Sequence, residues 1–388
     1  MQEFLSFFIV IFAGVFFSEI FKRFHLPWVV ALIIGGIIVG PHVLGVLHVN
    51  ETIDFIGQIG LIFLMFMAGL ETEFSSFKKF KKGIFELSLF NSIVPFLVGF
   101  LIGWFFGYGF STSILLGIVF VSSSIAIVIP SLRVNKILET HLGKSIVAAT
   151  VIEDAASLVL LSLFLQLVSP VTKMPLPLFY FLLLISLFFI RWLVPKIRFF
   201  FSLHLRDKND LFQEELRSIF FILIGVVVIF EILGLHPIIA GFFAGFVLSD
   251  SIKTEKMRKK LHVLSYGLFI PTFFIIIGAQ TDISIFLKTL GVVSFVALIV
   301  LGSILSKFLS GWAGGRLDGF SNNDSLIIGA STIPQLSTTL AVVFTAHSLG
   351  LFDQKIVVAM ISLSIITTIV SPILVKYFSS KKLEAIEK

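Results

Sequence analysis

The sequence predicts an all-α polytopic membrane protein of about thirteen transmembrane helices, arranged as two inverted six-helix repeats joined by a linker helix. Three observations carry that expectation. Of the 388 residues, 57% are hydrophobic and 13% charged, with a mean hydropathy of +1.07, whereas soluble domains carry about 25% charged residues. Lysine and arginine keep to alternate loops. Two spans lying seven apart are interrupted at their centres by small polar residues.

About 20 apolar residues cross a bilayer. Runs of that kind lie at approximately 4–21, 27–47, 53–71, 83–108, 111–131, 143–168 and 175–195, then at 216–234, 236–250, 262–280, 286–312, 324–349 and 354–378. The first, in MQEFLSFFIVIFAGVFF, has no basic region before its apolar run and reads as a span rather than a signal peptide. After the last span the chain ends at KKLEAIEK, so no soluble regulatory domain is expected. Of the 29 basic residues, all but Lys173, Lys288, Lys355 and Lys307 fall after odd-numbered spans or in the C-terminal tail. Basic loops stay cytoplasmic. The N-terminus is therefore expected outside and the C-terminus in the cytoplasm, with the chain in the cytoplasmic membrane. Glycines at Gly36/Gly40, Gly99/Gly103/Gly107 and Gly241/Gly245 suit close helix packing.

The fifth span reads STSILLGIVFVSSSIAIVIPSLR, with Ser122, Ser123 and Ser124 at its centre. The twelfth reads NDSLIIGASTIPQLSTTLAVVFTAH, where Pro334 is flanked by Ser331, Thr332, Gln335, Ser337, Thr338 and Thr339. Seven is an odd number, so equivalent spans enter from opposite faces. Spans 1–6 and 8–13 then form the two repeats and span 7 links them. Broken helices at matching positions of inverted repeats point to the midplane site of a secondary transporter. The plainer alternative is Ser/Thr back-bonding plus a proline kink, which membrane helices tolerate.

Between Gly143 and Gln166 the chain reads GKSIVAATVIEDAASLVLLSLFLQ. Past Lys144, its only charged side chains are Glu153 and Asp154. At bilayer depth a lone carboxylate costs roughly 2.5–3.5 kcal/mol on insertion scales, so each must be protonated, paired or bound to an ion. Neighbours on a helix point about 100° apart and do not share a partner by facing the same way. Lys307, inside VLGSILSKFLSGWAGG of span 11, is the cation available for one of them, which leaves the other acid free; the alternative is that it snorkels to the cytoplasmic surface. Glu71 ends span 3 as an interfacial acid, and Glu19, Glu86 and Glu231 lie near span ends as structural groups.

Other chemistries fail on their residues. There is no cysteine, so thiolate sites, disulfides and cysteine nucleophiles are excluded. The eight histidines show no metal-ligand spacing. HExxH, GxSxG and the paired YD and GxGD of intramembrane aspartyl proteases are absent. Leu138 stands where a phosphate loop ending at Gly143–Lys144–Ser145 needs its first glycine. No enzyme activity and no cofactor are expected. The net charge of +6 and pI near 9.4 reflect cytoplasmic loops rather than nucleic-acid binding.

With those residues in hand, the chain resembles the monovalent cation:proton antiporter-2 family of the Kef/Nap type over nearly its whole length. FHLPWVVALIIGGIIVGPHVLG is similar to the second span of that family and LIFLMFMAGLETEF to its third. SSSIAIVIPSLRVNKILETHLGKSIVAATVIEDAASLVLL resembles the broken helix and acid helix. GLHPIIAGFFAGFVLSDS and FIPTFFIIIGAQTDI resemble the spans after the linker. SKFLSGWAGGRLDGFSNNDSLIIGASTIPQ resembles the lysine helix and second broken helix. Three departures stand out: ED replaces the more familiar DD, Ser124 stands where threonine is commoner, and IPQLSTTLA replaces an Arg-Gly-Glu type motif.

The resemblance implies the sodium/proton antiporter fold, with crossing broken helices. Scaffold and dimer helices would span about 1–80 and 216–280, the linker helix about 175–200, and the ion-translocating core about 83–168 and 286–378. Asp154 matches the acid that takes both cation and proton, and would be the Na⁺ ligand. Glu153 matches the preceding position and Lys307 the lysine paired with it. Ser124 and Thr150 match possible oxygen ligands, beside Ser123, while Pro334, Gln335 and Ser337 mark the second break. The expected activity is exchange of Na⁺, or Li⁺ or K⁺, for H⁺ in a homodimer within the lipid bilayer. Rival readings are a sodium-coupled organic-anion symporter on a related scaffold and, less favoured, a cation channel or an ion-sensing membrane receptor. A channel would want a filter-like carbonyl run or a ring of acids, and neither is visible in the sequence; a receptor would usually carry a signalling domain, and none is expected here.

Overall fold

The computed structural model describes residues 2–23, 27–71, 82–168, 214–232, 237–249, 255–285 and 291–387, with residue 252 and scattered positions between 178 and 196. The linker span expected at 175–195 lies largely outside them. Among the described residues the chain is helical throughout, with no strand. The helices are α1 (Gln2–Lys22), α2 (Trp28–Val39), α3 (Glu51–Glu71), α4 (Lys82–Phe105), α5 (Phe110–Val121), α6 (Ile125–Val134) and α7 (His141–Val168). After the linker come α8 (Glu214–Ile232), α9 (Pro237–Ser249), α10 (Glu255–Leu264) and α11 (Ile270–Gln280), then α12 (Val292–Leu317), α13 (Asn322–Thr332), α14 (Ser337–Ser348) and α15 (Gln354–Glu387). Among the described residues, nine helical stretches are long and apolar enough to cross a membrane, with α2 and α9 as shorter apolar helices.

Two compact units divide the chain: Met1–Gly14, Val49–Lys79 and Ser162–Ile276 form one, and Val15–His48, Phe80–Leu161 and Ile277–Lys388 the other. In the first, α3 packs on α9 with almost no side chain between the backbones. A Cβ on Gly241 would lie 2.8 Å from the Ile62 carbonyl oxygen, and one on Gly245 would run into the Phe66 carbonyl. These are the small-residue contacts that let helices pack tightly in lipid. A single π turn, Ser265–Phe269, joins α10 to α11, and Phe269 stacks on Phe63 of α3 at 4.7 Å.

In the second unit, α4 and α5 use the same device: a Cβ on Gly99 would sit 2.7 Å from the Leu116 carbonyl, and one on Gly117 2.8 Å from that of Phe96. Leu87, Val128, Leu132, Ile146, Ile327, Ile328 and Val375 form an apolar cluster from α4, α6, α7, α13 and α15. This cluster fixes the helices that carry the polar centre.

Both interruptions expected from the sequence are present. The first falls at Ser122–Ser124, between α5 and α6, where the Ser122 hydroxyl meets Thr339 and that of Ser123 meets Glu153 rather than their own helix. The second falls at Ile333–Leu336, between α13 and α14, where Pro334 lacks the backbone N–H that would continue the helix; Ile333 still has helical dihedrals and the chain departs from them at Leu336. Two expectations need correction. The second span was expected over 27–47, but α2 stops at Val39 because Pro41 cannot continue it and biases Gly40 to the extended conformation observed. Gly107 is no packing glycine: at φ 79° it turns the chain after α4, with nothing near its missing Cβ.

Candidate ion-binding site

The polar centre of the second unit is assembled where the two breaks meet. The Ser124 amide donates to the Pro334 carbonyl at 2.7 Å. Ser122 and Thr339 share a hydroxyl–hydroxyl bond of 2.9 Å. Gln335 Nε2 donates to the Phe120 carbonyl in the last turn of α5 at 3.1 Å, and Ser123 Oγ lies 2.8 Å from the Thr332 carbonyl at the end of α13. Helix ends leave carbonyls and amides without partners in their own helix, and each break supplies groups for the other. From α15, Thr367 accepts the Gln335 amide at 3.2 Å and Ser371 donates to the Ala330 carbonyl at 2.8 Å.

Lys307, in the middle of α12, has no exposed surface, and neither does Glu153 of α7. Their ion pair measures 2.9 Å, Nζ to Oε2. The same Nζ donates to the Asn91 carbonyl at 3.2 Å, to Ser123 Oγ at 3.0 Å and to the Val121 carbonyl. An ammonium has three donors, so four acceptors leave none of them idle. Val121 is the last residue of α5, so the ammonium also sits at the negative end of that half-helix dipole. Glu153 accepts three hydrogen bonds: Oε1 from Asn91 Nδ2 at 2.8 Å, and Oε2 from Ser123 Oγ at 2.6 Å as well as from Lys307. The snorkelling alternative for Lys307 does not describe this geometry.

Asp154 is buried too, at 3% exposure, but its surroundings differ. Its carboxylate faces the Ser123 backbone amide and the Thr338 side chain, next to the starts of α6 and α14. Neither Ser124 nor Leu336, the N-cap residues of those helices, provides a side-chain cap. Uncapped helix N-termini favour an anion. Asp154 Oδ1 has no hydrogen-bond partner, and the same holds for Ser124 Oγ, Ser331 Oγ, Gln335 Oε1 and Thr338 Oγ1. All five are buried oxygens on or beside the two breaks, a donor set suited to a hard cation. No group of three or more His, Asp or Glu side chains capable of holding a metal occurs among the described residues.

The structure thus brings Glu153, Lys307 and Ser123 into one network, and sets Asp154 beside it. Thr150 lies one turn before Asp154 on α7; its hydroxyl donates to the Ile146 carbonyl at 3.0 Å, leaving the oxygen's lone pairs free. Ser337 opens α14 and Pro334 holds the second break open. Sequence reasoning missed Asn91 and Thr367, and named Thr338 only as one of the polar residues flanking the second break. Asn91 carried a readable signal: a lone amide in the apolar ELSLFNSIVPF, where an unsatisfied polar group is costly.

Residues 7–380 match the family described as sodium/hydrogen exchanger, transmembrane. The chain is 32% identical to "Probable Na(+)/H(+) antiporter 3" of Methanocaldococcus jannaschii over 97% of both chains. It is 28% identical to the Na(+)/H(+) antiporter of Enterococcus hirae over 94% of both. The solved structure of the sodium proton antiporter MjNhaP1 from Methanocaldococcus jannaschii has the same fold, with a TM-score of 0.70 at 18% identity over 96% of each chain. These likenesses give no support to an organic-anion symporter or a channel. A match that runs almost end to end, on a fold whose two broken helices meet beside a buried acid pair, places the chain in the transmembrane sodium/hydrogen exchanger family.

Proposed function

We propose that this chain is a secondary antiporter exchanging a monovalent cation, Na⁺ first and Li⁺ or K⁺ as alternatives, for H⁺ by alternating access. One observation carries the reading. Among the described residues, Asp154 Oδ1 is the buried carboxylate oxygen that lacks a hydrogen-bond partner, and it lies where two half-helices begin. When ionised, Asp154 binds the cation with help from the oxygens of Ser124, Thr338 and Gln335. When protonated, it carries the proton back. One carboxylate cannot hold both at once, and that competition couples the two fluxes. Opposed half-helix dipoles at the crossing balance the charge that comes and goes.

Within the family, the ED pair with Lys307 on α12 supports assignment to the Kef/Nap branch. The core of about 83–168 and 286–378 would move against scaffold helices at about 1–80 and 216–280. In support, α4–α6, most of α7 and α12–α15 belong to one compact unit, which also takes in Val15–His48 from the expected scaffold. The homodimer, the cell-membrane location and the outside N-terminus rest on the resemblance and on the distribution of lysine and arginine.

The test uses everted vesicles with an imposed pH gradient and a fluorescent ΔpH dye, to which Na⁺, Li⁺ and K⁺ are added in turn. Dequenching in the wild type that is absent from Asp154→Asn is the expected result, and the order of response ranks the cations. A response of equal size in Asp154→Asn would remove Asp154 from the site.

A further inference from the structure

We propose that Thr367 and Ser371 of α15 are positioning residues: one helical turn apart, they replace two backbone hydrogen bonds that the second break gives up, and so fix where α14 begins beside Asp154. For its effect on ion binding the inference rests on the antiport reading above, to which it adds residues outside the crossing itself.

An α-helix bonds each amide to the carbonyl four residues before it. Two such bonds are not made at the second break. Residue 334 is proline and has no N–H for the Ala330 carbonyl. The Gln335 amide, whose helical partner would be the Ser331 carbonyl, donates instead to Thr367 Oγ1 at 3.2 Å. The Ala330 carbonyl accepts from Ser371 Oγ at 2.8 Å. An acceptor for the freed amide and a donor for the freed carbonyl thus come from positions i and i+4 of one helix, which share a face. Thr367 can accept because its own hydrogen goes to the Leu363 carbonyl at 2.8 Å, which leaves the oxygen's lone pairs available. Thr367, Ser371 and Gln335 are all buried, where an unmade hydrogen bond is costly.

Each replacement has a distinct effect. Ile333 keeps helical dihedrals, so the nitrogen of residue 334 already stands over the Ala330 carbonyl and lacks only a hydrogen. Ser371 supplies one. The chain leaves the helix at Leu336, with φ −145° and ψ −86°, directly after the amide that Thr367 holds. Ser337 then opens α14, and Thr338 behind it faces Asp154. Thr367 therefore ties the last backbone donor before the α14 N-terminus to a helix that runs unbroken over Gln354–Glu387. Ser364 lies on the same face of α15, one turn before Thr367, and is fully buried, but its Oγ has no hydrogen-bond partner. It is the natural control for a hydroxyl on this stripe that does not bond the break.

The replacement of lost bonds is tested by melting the purified full chain, which requires no transport. Pro334→Ala returns an N–H to a nitrogen that already faces the Ala330 carbonyl, so the Ser371 hydroxyl becomes redundant. Ser371→Ala should lower the melting temperature by about 2–4 °C in the wild-type background, and by less than half as much in Pro334→Ala. An equal loss in both backgrounds would show that Ser371 does not stand in for the missing amide, and would overturn the proposal.

The effect on the site is read in the dye assay, as the half-maximal Na⁺ concentration set against the maximal rate. Thr367→Val keeps the side-chain shape and removes the acceptor. The half-maximal Na⁺ concentration should rise about tenfold, with a smaller change in maximal rate. Thr367→Ser, which keeps the oxygen, should behave as wild type, and Ser364→Ala should leave the Na⁺ dependence unchanged. A Thr367→Val protein with wild-type Na⁺ dependence, or a Ser364→Ala protein shifted as far as Thr367→Val, would assign the stripe to packing alone and overturn the proposal. Should Thr367→Val fail to fold, Ser371→Ala takes its place in the same assay: a rise in the half-maximal Na⁺ concentration supports the proposal, and an unchanged value overturns it. Absence of any cation response in the wild type would sink the antiport reading, while the melting comparison would still decide whether α15 holds the break.

Discussion

The Ser124 amide donates to the Pro334 carbonyl at 2.7 Å, so the two interrupted helices are bonded backbone to backbone at their breaks. With Ser122 on Thr339 and Gln335 on Phe120, the two breaks hold each other by side chains as well. Neither interruption would be tolerable in lipid alone, where irregular backbone survives only when protein or a polar cavity covers it. The irregular segment that makes an ion site possible is therefore also the segment that holds the two broken helices together.

Gln335→Leu should test that coupling. It leaves the Phe120 carbonyl without its donor in a buried position, at a cost of about 1–3 kcal/mol. The melting temperature of purified protein in detergent should fall. The Na⁺ concentration for half-maximal dequenching should rise, because Gln335 Oε1 leaves the donor set. Unchanged values of both would remove Gln335 from the crossing.

Lys307→Ala strands Glu153 as a buried charge without its cation, and breaking a buried pair from one side costs about 3–5 kcal/mol. Thermal unfolding should show the largest destabilisation of the variants considered. A loss under about 1 kcal/mol would mean that Glu153 is not held by this contact.

Asp154→Asn should separate transport from stability. The substitution keeps the shape of the side chain, and Oδ1 has no hydrogen bond to lose. Melting should stay within about 1 kcal/mol of wild type while cation-dependent dequenching disappears. A variant that unfolds would show that the carboxylate is structural.

Gly329→Ala probes the seam between α12 and α13. The added Cβ would run into the Phe308 carbonyl, and backbone cannot yield as a side chain does, so a cost of about 1–3 kcal/mol is expected. Gly225→Ala in α8, where nothing lies within 4 Å of the new Cβ, should instead be neutral or stabilising by up to about 1 kcal/mol. Circular-dichroism melts of the pair give the comparison directly.

The spans among the described residues, both breaks and the three membrane-depth charges were legible in the sequence because each is a local property. Hydropathy over 20 residues decides whether a segment prefers lipid. A proline or a run of serines decides where a helix loses its own hydrogen bonds. A charge in an apolar run announces a site because its desolvation is costly whatever surrounds it. The extent of α2 was less legible, since an apolar run continues past Gly40 while the backbone does not. Asn91 and Thr367 were less legible still, because a neutral polar side chain in a helix can bond its own backbone, a neighbour or nothing. Only packing chooses among those: Asn91 meets Glu153 across 62 residues of chain, and Thr367 meets Gln335 across 32. Composition and spacing placed two adjacent acids within reach of one lysine, and only the family resemblance suggested which of them the lysine meets. Tertiary structure distinguished them, because adjacent helical positions face about 100° apart. Glu153 therefore points into the donors of Lys307, Asn91 and Ser123, and Asp154 points toward the open ends of two half-helices.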